Sequence, residues 1–195
     1  MAAVISRRRR LAVVAAVGLL LAGCATTEQR GRRALYLGQY NDAIHLFQAS
    51  LAEHPDRLPA MVGLGIALYK AGALDDAAAT LDGVLARSPG EAPALLYRGL
   101  IALMQRDDAV AQERLTRFRE VTSIPSFNTQ LDRALAIVRG GATDPAIREF
   151  MAASLEDAVR SAHEVEAARL AAQQAYLSAF PVVRCVPSRR GWICF

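Results

Sequence analysis

Residues 58–91 read LPAMVGLGIALYKAGALDDAAATLDGVLARSPGE, and this stretch decides the fold. In its first part apolar residues recur at helical spacing until Gly72, which supplies a C-terminal stop. Asp75-Asp76 then open a second apolar stripe, which Ser88-Pro89 ends. The sequence therefore predicts two helices joined by a short glycine turn. The stripe positions are Met61, Leu64, Ala67 and Leu68 in the first helix, and Ala77, Leu81, Val84 and Leu85 in the second.

The same residue classes recur every 34 positions along the middle of the chain. The recurring sets are Gly31, Gly65 and Gly99; Ala43, Ala77 and Ala111; Phe47, Leu81 and Leu115; and Pro55 with Pro89. Such a period is typical of a repeat protein in which each unit is one supersecondary element. The pattern resembles the tetratricopeptide repeat, with repeats at 24–57, 58–91 and 92–125.

The resemblance implies an all-α fold, a tetratricopeptide-repeat helical solenoid in which each repeat is a pair of antiparallel helices. In that family small residues let the helices approach closely, and a proline ends the second helix. The third repeat departs from the pattern, because Arg106 replaces the turn glycine, Asp108 the aromatic or leucine, and Ser123 the proline. We expect its turn to be irregular.

Two further helices are predicted after the repeats. Asn128 resembles an N-cap, and Gly140-Gly141 would close the helix, so we interpret residues 126–142 as a capping helix that covers the solenoid end. Asp144-Pro145 opens a second helix, predicted over 143–180, that would be a rod of roughly 50 Å if unbroken. Packing on the chain's own repeats is favoured, with dimerisation or partner contact as the alternative. Its apolar stripe contains Ile147, Met151, Leu155, Ala158, Ala162, Val165, Ala172, Tyr176 and Ala179.

The N-terminal residues 1–23 are interpreted as a cleaved signal peptide, because a basic run, Arg7–Arg10, precedes an apolar stretch too short to span a bilayer. Leu21-Ala22-Gly23-Cys24 resembles the lipobox of bacterial lipoproteins. The resemblance implies cleavage between Gly23 and Cys24 and a covalent lipid on Cys24. The alternative is a short N-terminal membrane anchor in which Cys24 is an ordinary thiol.

The residues after Cys24 bear on location and on the tether. In lipoproteins of this type an Asp after the cysteine tends to retain the protein in the inner membrane, so Ala25 favours the periplasmic face of the outer membrane. Thr26 and Gln29 have the spacing of a capping box. A helix would then begin within two residues of the lipid, which would hold the folded domain against the membrane.

Residues 181–195 form a short tail with two cysteines, Cys185 and Cys194. If Arg189-Arg190 forms the tip of a hairpin, the two cysteines lie opposite each other. In an oxidising compartment a disulfide is the simplest interpretation, which gives a Cys-stapled, hairpin-like tail. Metal binding is the alternative, and two cysteines with no nearby histidine make a poor zinc site.

Charge and motifs exclude several function classes. The four charges of Arg7–Arg10 account for the whole formal net charge of +4, so the charge balance gives no support for nucleic-acid binding. Lys70 is the only lysine and is followed by Ala71, which rules out a phosphate-binding loop. His163-Glu164 lacks the second histidine of a zinc-protease motif, since Ala167 stands there. We expect no enzyme, no metal and no cofactor beyond the lipid on Cys24.

In the family, ligands usually lie along the concave face made by the first helices. An apolar groove with two tyrosines favours an amphipathic helix or an extended apolar peptide as partner, and the alternative is a groove filled by the long C-terminal helix. The Lys/Asn set with which some relatives clamp a carboxylate is absent apart from Lys70. The matching positions are Arg32, Leu35, Tyr36, Val62, Ile66, Tyr69, Lys70, Leu96, Leu100, Leu103 and Met104.

The function expected from these features is a membrane-anchored periplasmic scaffold that binds a protein partner and supports assembly of an envelope, secretion or pilus apparatus. The alternative is a periplasmic small-solute carrier with a pocket between the repeats and the C-terminal helix.

Overall fold

The structure, a computed structural model, describes residues 26–141, 144–179, 185–188 and 191–194. These residues form two compact units, which divide between Ile101 and Ala102. The part of the chain so described contains eight α-helices. They are α1 (Thr27–Tyr36), α2 (Tyr40–Glu53), α3 (Leu58–Lys70), α4 (Leu74–Arg87), α5 (Ala92–Gln105), α6 (Asp108–Val121), α7 (Pro125–Arg139) and α8 (Pro145–Ala179).

The first helix begins at the predicted capping box. The Thr26 hydroxyl accepts a hydrogen bond from the Gln29 amide at 3.3 Å, and the Gln29 side chain accepts one from the Thr26 amide at 3.0 Å. Two of the amides left without partners at a helix start are thereby satisfied. Residues 1–25, with the predicted signal peptide, cleavage site and lipidated Cys24, lie outside the described residues.

Close helix packing in the first unit depends on the glycines of the repeat. The Phe47 ring of α2 lies against Gly31 of α1, where a Cβ would stand 3.0 Å from the ring. One repeat later, a Cβ on Gly65 would stand 2.6 Å from Leu81. In two consecutive repeats, therefore, the equivalent glycine makes room for a large apolar side chain at the equivalent position of the second helix. The predicted role of the small residue, which is to let the helices approach closely, is confirmed at both places.

The three helix–turn–helix connections share one backbone conformation, which corrects the expectation of an irregular third turn. Gly38 and Gly72 have φ of 75° and 84°, and Arg106 has 64°. The turn therefore keeps its left-handed residue even where glycine is absent. An equivalent backbone hydrogen bond of 2.9 Å closes each turn. The amide of the residue after the left-handed position donates to a carbonyl five residues earlier, in the pairs Gln39 to Ala34, Ala73 to Leu68 and Asp107 to Ala102.

The capping helix α7 begins three residues earlier than Asn128, which is a second correction. Its first residue is Pro125, and the preceding Ile124 is extended. Proline suits this position because its fixed φ is already helical and its missing amide is not needed there. Asn128 instead lies inside the helix, where its amide donates to the Ile124 carbonyl at 3.1 Å.

The long helix α8 is one unbroken element of 35 residues, as predicted. Asp144 caps it by accepting a hydrogen bond from the Ala146 amide at 2.8 Å. Its buried side chains follow the predicted stripe only in part, because Met151 and Leu155 are buried but Ile147, Val165 and Tyr176 are exposed. The buried side chains are Arg148, Met151, Ala152, Leu155 and Val159.

The two halves of α8 have different environments. Residues 145–162 contain all of its buried side chains, and every residue from 163 to 178 is exposed. The sequence explains the change, because the buried face continues at heptad spacing into polar residues. Glu166 and Gln173 stand seven and fourteen residues after Val159, and Arg169 stands fourteen after Leu155. The predicted packing on the chain therefore concerns only the first half.

The tail contains two short antiparallel strands, β1 (Cys185–Ser188) and β2 (Gly191–Cys194). Their register places Cys185 opposite Cys194, which is the pairing predicted for a hairpin with residues 189–190 at its tip. The disulfide itself stays a prediction. Within the described ranges, no helix has both the length and the apolar character needed to cross a membrane.

Candidate partner-binding groove

The first unit carries a groove of about 400 Å³, open to solvent, between α1 and α3. Phe47 and Val62 are buried in its floor, and Leu58 and Pro59 stand at the start of α3. The charged residues of its lining are Arg32 and Glu91. We name this site the α1–α3 groove. Its lining is otherwise apolar, which suits an apolar side chain of a partner better than a polar solute.

Four of the predicted positions come together in the α1–α3 groove. They are Arg32 and Leu35, three residues apart on α1, and Val62 and Ile66, four residues apart on α3. Residues at these spacings lie on one face of a helix, so both helices direct one face into the groove. Sequence reasoning missed Phe47, Leu58 and Glu91, which also line it. The sequence identifies Phe47 only as a repeat position.

The predicted tyrosines and lysine lie outside the α1–α3 groove. Tyr36 is 89% exposed at the end of α1. Tyr69 makes an edge-to-face contact with Tyr97, with ring centroids 5.3 Å apart, and the Lys70 ammonium lies 5.7 Å from the Tyr69 ring. Lys70 lines a separate shallow groove together with Gly38 and Asn41 of the first repeat.

The predicted positions on α5 are mostly buried. Leu96 is 4% exposed, and both Leu100 and Leu103 are fully buried, whereas Met104 is half-buried. The structure therefore does not present the three leucines to a partner. Their side chains belong to the apolar core, where burial of each contributes about 2 kcal/mol.

A buried carboxylate holds one charged residue of the groove. Glu28 is 5% exposed and accepts hydrogen bonds from Arg32, at 2.5 Å, and from the Arg57 guanidinium. Burial alone would raise the pKa of Glu28, but the hydrogen bonds from Arg57 and Arg32, with their positive charges, outweigh it and lower this pKa. Glu28 is therefore ionised, and it fixes Arg32 at the edge of the groove.

The second unit contains an ion pair that sequence reasoning missed. Arg148 of α8 is 3% exposed and binds the Asp108 carboxylate with two nitrogens, at 2.5 and 3.2 Å. The same side chain donates to the Leu103 carbonyl at 3.1 Å. The hydrogen bond from Arg148 lowers the pKa of Asp108 against the opposing effect of burial. The sequence indicates this ion pair only through Asp108, a charged residue at the position where the other repeats have Tyr40 and Leu74.

Apart from Asp108, the acidic residues at the starts of α4 and α6 stabilise their own helices. Asp107 caps α6 by accepting a hydrogen bond from the Val110 amide at 3.2 Å, and Asp75 and Asp76 stand in the first turn of α4. Carboxylates there interact favourably with the helix dipole. In the residues that the structure describes, no three of the His, Cys, Asp and Glu side chains are grouped so that they could hold a metal ion.

Comparison with known proteins supports the repeat assignment. Residues 29–92 match the family model described as Tetratricopeptide repeat. These residues carry tetratricopeptide repeats. The match covers the first two helix pairs, which supply most of the lining of the α1–α3 groove. The chain matches no curated protein.

Several solved structures have a similar fold. MamA AMB-1 aligns with 66% of this chain and 70% of its own, at 26% identity and a TM-score of 0.51. A double mutant of MamA RS-1 aligns with 69% of this chain and 74% of its own, at 21% identity and a TM-score of 0.52. The tetratricopeptide-repeat domain of Sgt2 from Aspergillus fumigatus aligns over 72% and 79%, at 19% identity and a TM-score of 0.47. Together with the family match over residues 29–92, the two MamA structures show that the chain has the all-α fold of tetratricopeptide-repeat proteins.

Proposed function

We propose that the protein is a scaffold that binds a protein partner in the α1–α3 groove while a lipid on Cys24 anchors it at the periplasmic face of the outer membrane. The observation that carries the proposal is the groove itself, in which the half-buried Leu35 and Ile66 form an apolar surface above the buried Val62. A surface of this kind serves recognition and needs no chemical step.

The partner segment is an amphipathic helix or an extended apolar peptide. Either one places apolar side chains at regular intervals along one face, which matches the apolar positions that line the groove. The charges at the groove edge, Arg32 and Glu91, select a segment with an acidic residue near one end and a basic residue near the other.

The lipid on Cys24 supplies the second part of the proposal. Each buried methylene contributes about 0.8 kcal/mol, so several acyl chains hold the protein on the bilayer almost permanently. Anchoring confines scaffold and partner to one thin layer, which raises their effective concentration. A contact of micromolar affinity is then occupied, and the setting that we propose is assembly of an envelope, secretion or pilus apparatus.

The groove is tested by crosslinking and recovery of the full lipidated chain from cells, with Ile66→Asp as the variant. A charge at this half-buried position costs desolvation in any apolar contact, so we expect recovery of one envelope protein from the parent chain and its loss from the variant. The matched control is Ile147→Asp, because Ile147 is 42% exposed and lies outside the groove. Circular dichroism checks that both variants remain folded.

Two outcomes would contradict the scaffold. Equal recovery of the partner by Ile66→Asp and Ile147→Asp would place binding elsewhere. A metabolite that stays bound to the purified chain in native mass spectrometry would favour the solute carrier.

A further inference from the structure

The first helix has an exposed basic face on the side away from the α1–α3 groove. Arg30, Arg33 and Leu37 follow one another at helical spacing, and all three are exposed, Leu37 by 56%. Among the described residues no ion pair involves Arg30 or Arg33, whereas Arg32 on the same helix is paired with Glu28. We name Arg30, Arg33 and Leu37 the α1 basic face.

The α1 basic face borders Asp42 and His45 of α2, which line one shallow groove together with its three residues. Its two guanidinium groups outnumber this one carboxylate, so the surface favours an anionic partner. We propose that the α1 basic face docks on the anionic phospholipid headgroups of the membrane. Guanidinium groups bind phosphate oxygens through paired hydrogen bonds, and they are more weakly hydrated than ammonium groups. Leu37 and the 89% exposed Tyr36 add apolar surface beside the charges, a combination that suits the interface between headgroups and acyl chains.

The position of α1 in the chain favours the same occupant. This step rests on the proposed lipid anchor at Cys24. Thr26 caps α1, and two residues of extended chain reach at most about 7 Å, so α1 begins beside the headgroups. A basic helix in that position lies within the negative surface potential of anionic lipids, which attracts its guanidinium groups.

Docking by this face would set the direction of the α1–α3 groove. Five residues of a helix correspond to 500°, so Leu35 lies about 140° around α1 from Arg30. The face that meets the bilayer and the face that lines the groove are therefore nearly opposite. The groove then opens away from the membrane, where a partner can enter it.

Arginine-directed labelling of the full lipidated chain tests the proposal. The chain is reconstituted in phosphatidylcholine vesicles with and without phosphatidylglycerol, and labelling is measured by peptide mass spectrometry. We expect Arg30 and Arg33 to react about fivefold more slowly with phosphatidylglycerol present, and high salt to remove the difference. Arg133 and Arg139, exposed on α7, are the internal controls. Equal rates on both vesicle types overturn the proposal.

A photo-crosslinker in place of Leu37 in cells separates a lipid surface from an acidic protein. Lipid adducts are expected, and they should fall in R30E/R33E while R133E/R139E leaves them unchanged. Adducts with a protein in their place overturn the proposal.

The intact mass of the chain reports acylation of Cys24 separately. An unacylated Cys24 would refute the anchor, and the same chain mixed with phosphatidylglycerol vesicles would still test the α1 basic face.

Discussion

Gly72 and Arg106 occupy the same position in consecutive repeats, and both have positive φ, 84° and 64°. Two residues later the repeats differ again, because Leu74 is replaced by Asp108. The backbone of the two turns is nevertheless closed by equivalent hydrogen bonds. The comparison shows that helix packing imposes the backbone conformation of the turn. The residue types on the turn differ between repeats according to the side chains that contact them.

In the third turn that contact comes from α8. Arg148 is buried and needs a charged partner, and Asp108 supplies it at the position where the other repeats have Tyr40 and Leu74. A departure from the repeat pattern that predicted irregular structure therefore marks the docking of the C-terminal helix.

The largest expected effect comes from removing the arginine. Arg148→Ala should lower the free energy of unfolding of the second unit by about 3 kcal/mol, because three hydrogen bonds of a buried charge are lost. Hydrogen exchange of the amides in 145–162, followed in urea, measures it. The control is Arg160→Ala, whose pair with Asp157 is exposed and should contribute less than about 0.5 kcal/mol. Equal losses in the two variants would refute the special role of Arg148.

The double variant Asp108→Leu with Arg148→Leu tests whether an apolar pair can replace the ion pair in stabilising the third turn. Replacing both members of an ion pair by apolar residues leaves no unpaired charge, and leucine at 108 restores the residue class of Leu74. We expect the double variant to regain most of the stability that Arg148→Ala loses. A double variant no more stable than Arg148→Ala would show that the ion pair has no apolar substitute.

An intermediate effect is expected from exchanging the turn residues. Arg106→Gly should raise stability by about 0.5 kcal/mol, because glycine removes the strain of positive φ but gains freedom in the unfolded chain. Gly72→Arg should lower it by about 1 kcal/mol, and backbone strain alone is responsible, since a Cβ there meets nothing within 4 Å. Thermal unfolding measures both. Arg106→Ala retains a Cβ and should therefore leave the stability unchanged. A rise in stability equal to that of Arg106→Gly would argue against backbone strain.

The smallest expected effect is on the decline of stability at acidic pH. The folded pKa of Asp108 lies below its ordinary value of 3.8, so the ionised pair stabilises the fold above that pH and the stabilisation is lost as pH falls through the folded pKa. Asp108→Asn should therefore flatten the decline of stability with pH below about pH 4. Urea unfolding at a series of pH values measures the slope, with Asp157→Asn as the control. An unchanged slope in Asp108→Asn would contradict the linkage.

The sequence predicted the helix pairs, the capping box at Thr26 and the N-cap of α8, because these features depend on residues within a few positions of one another. The resemblance to the tetratricopeptide repeat also predicted four residues of the α1–α3 groove, because they match the positions that line the concave face in that family. It did not predict the burial of Leu100 and Leu103, since apolar residues at helical spacing indicate a face but not what covers it.

The sequence alone determined an all-α repeat with a period of 34 residues, since local hydrogen bonding and apolar periodicity are sufficient to specify helix pairs. Only the tertiary structure decided that Arg148 meets Asp108, that the packing of α8 stops before residue 163, and that Arg106 adopts a conformation suited to glycine. These outcomes depend on contacts between residues far apart in the chain, whose energies outweigh the local preferences of a single residue.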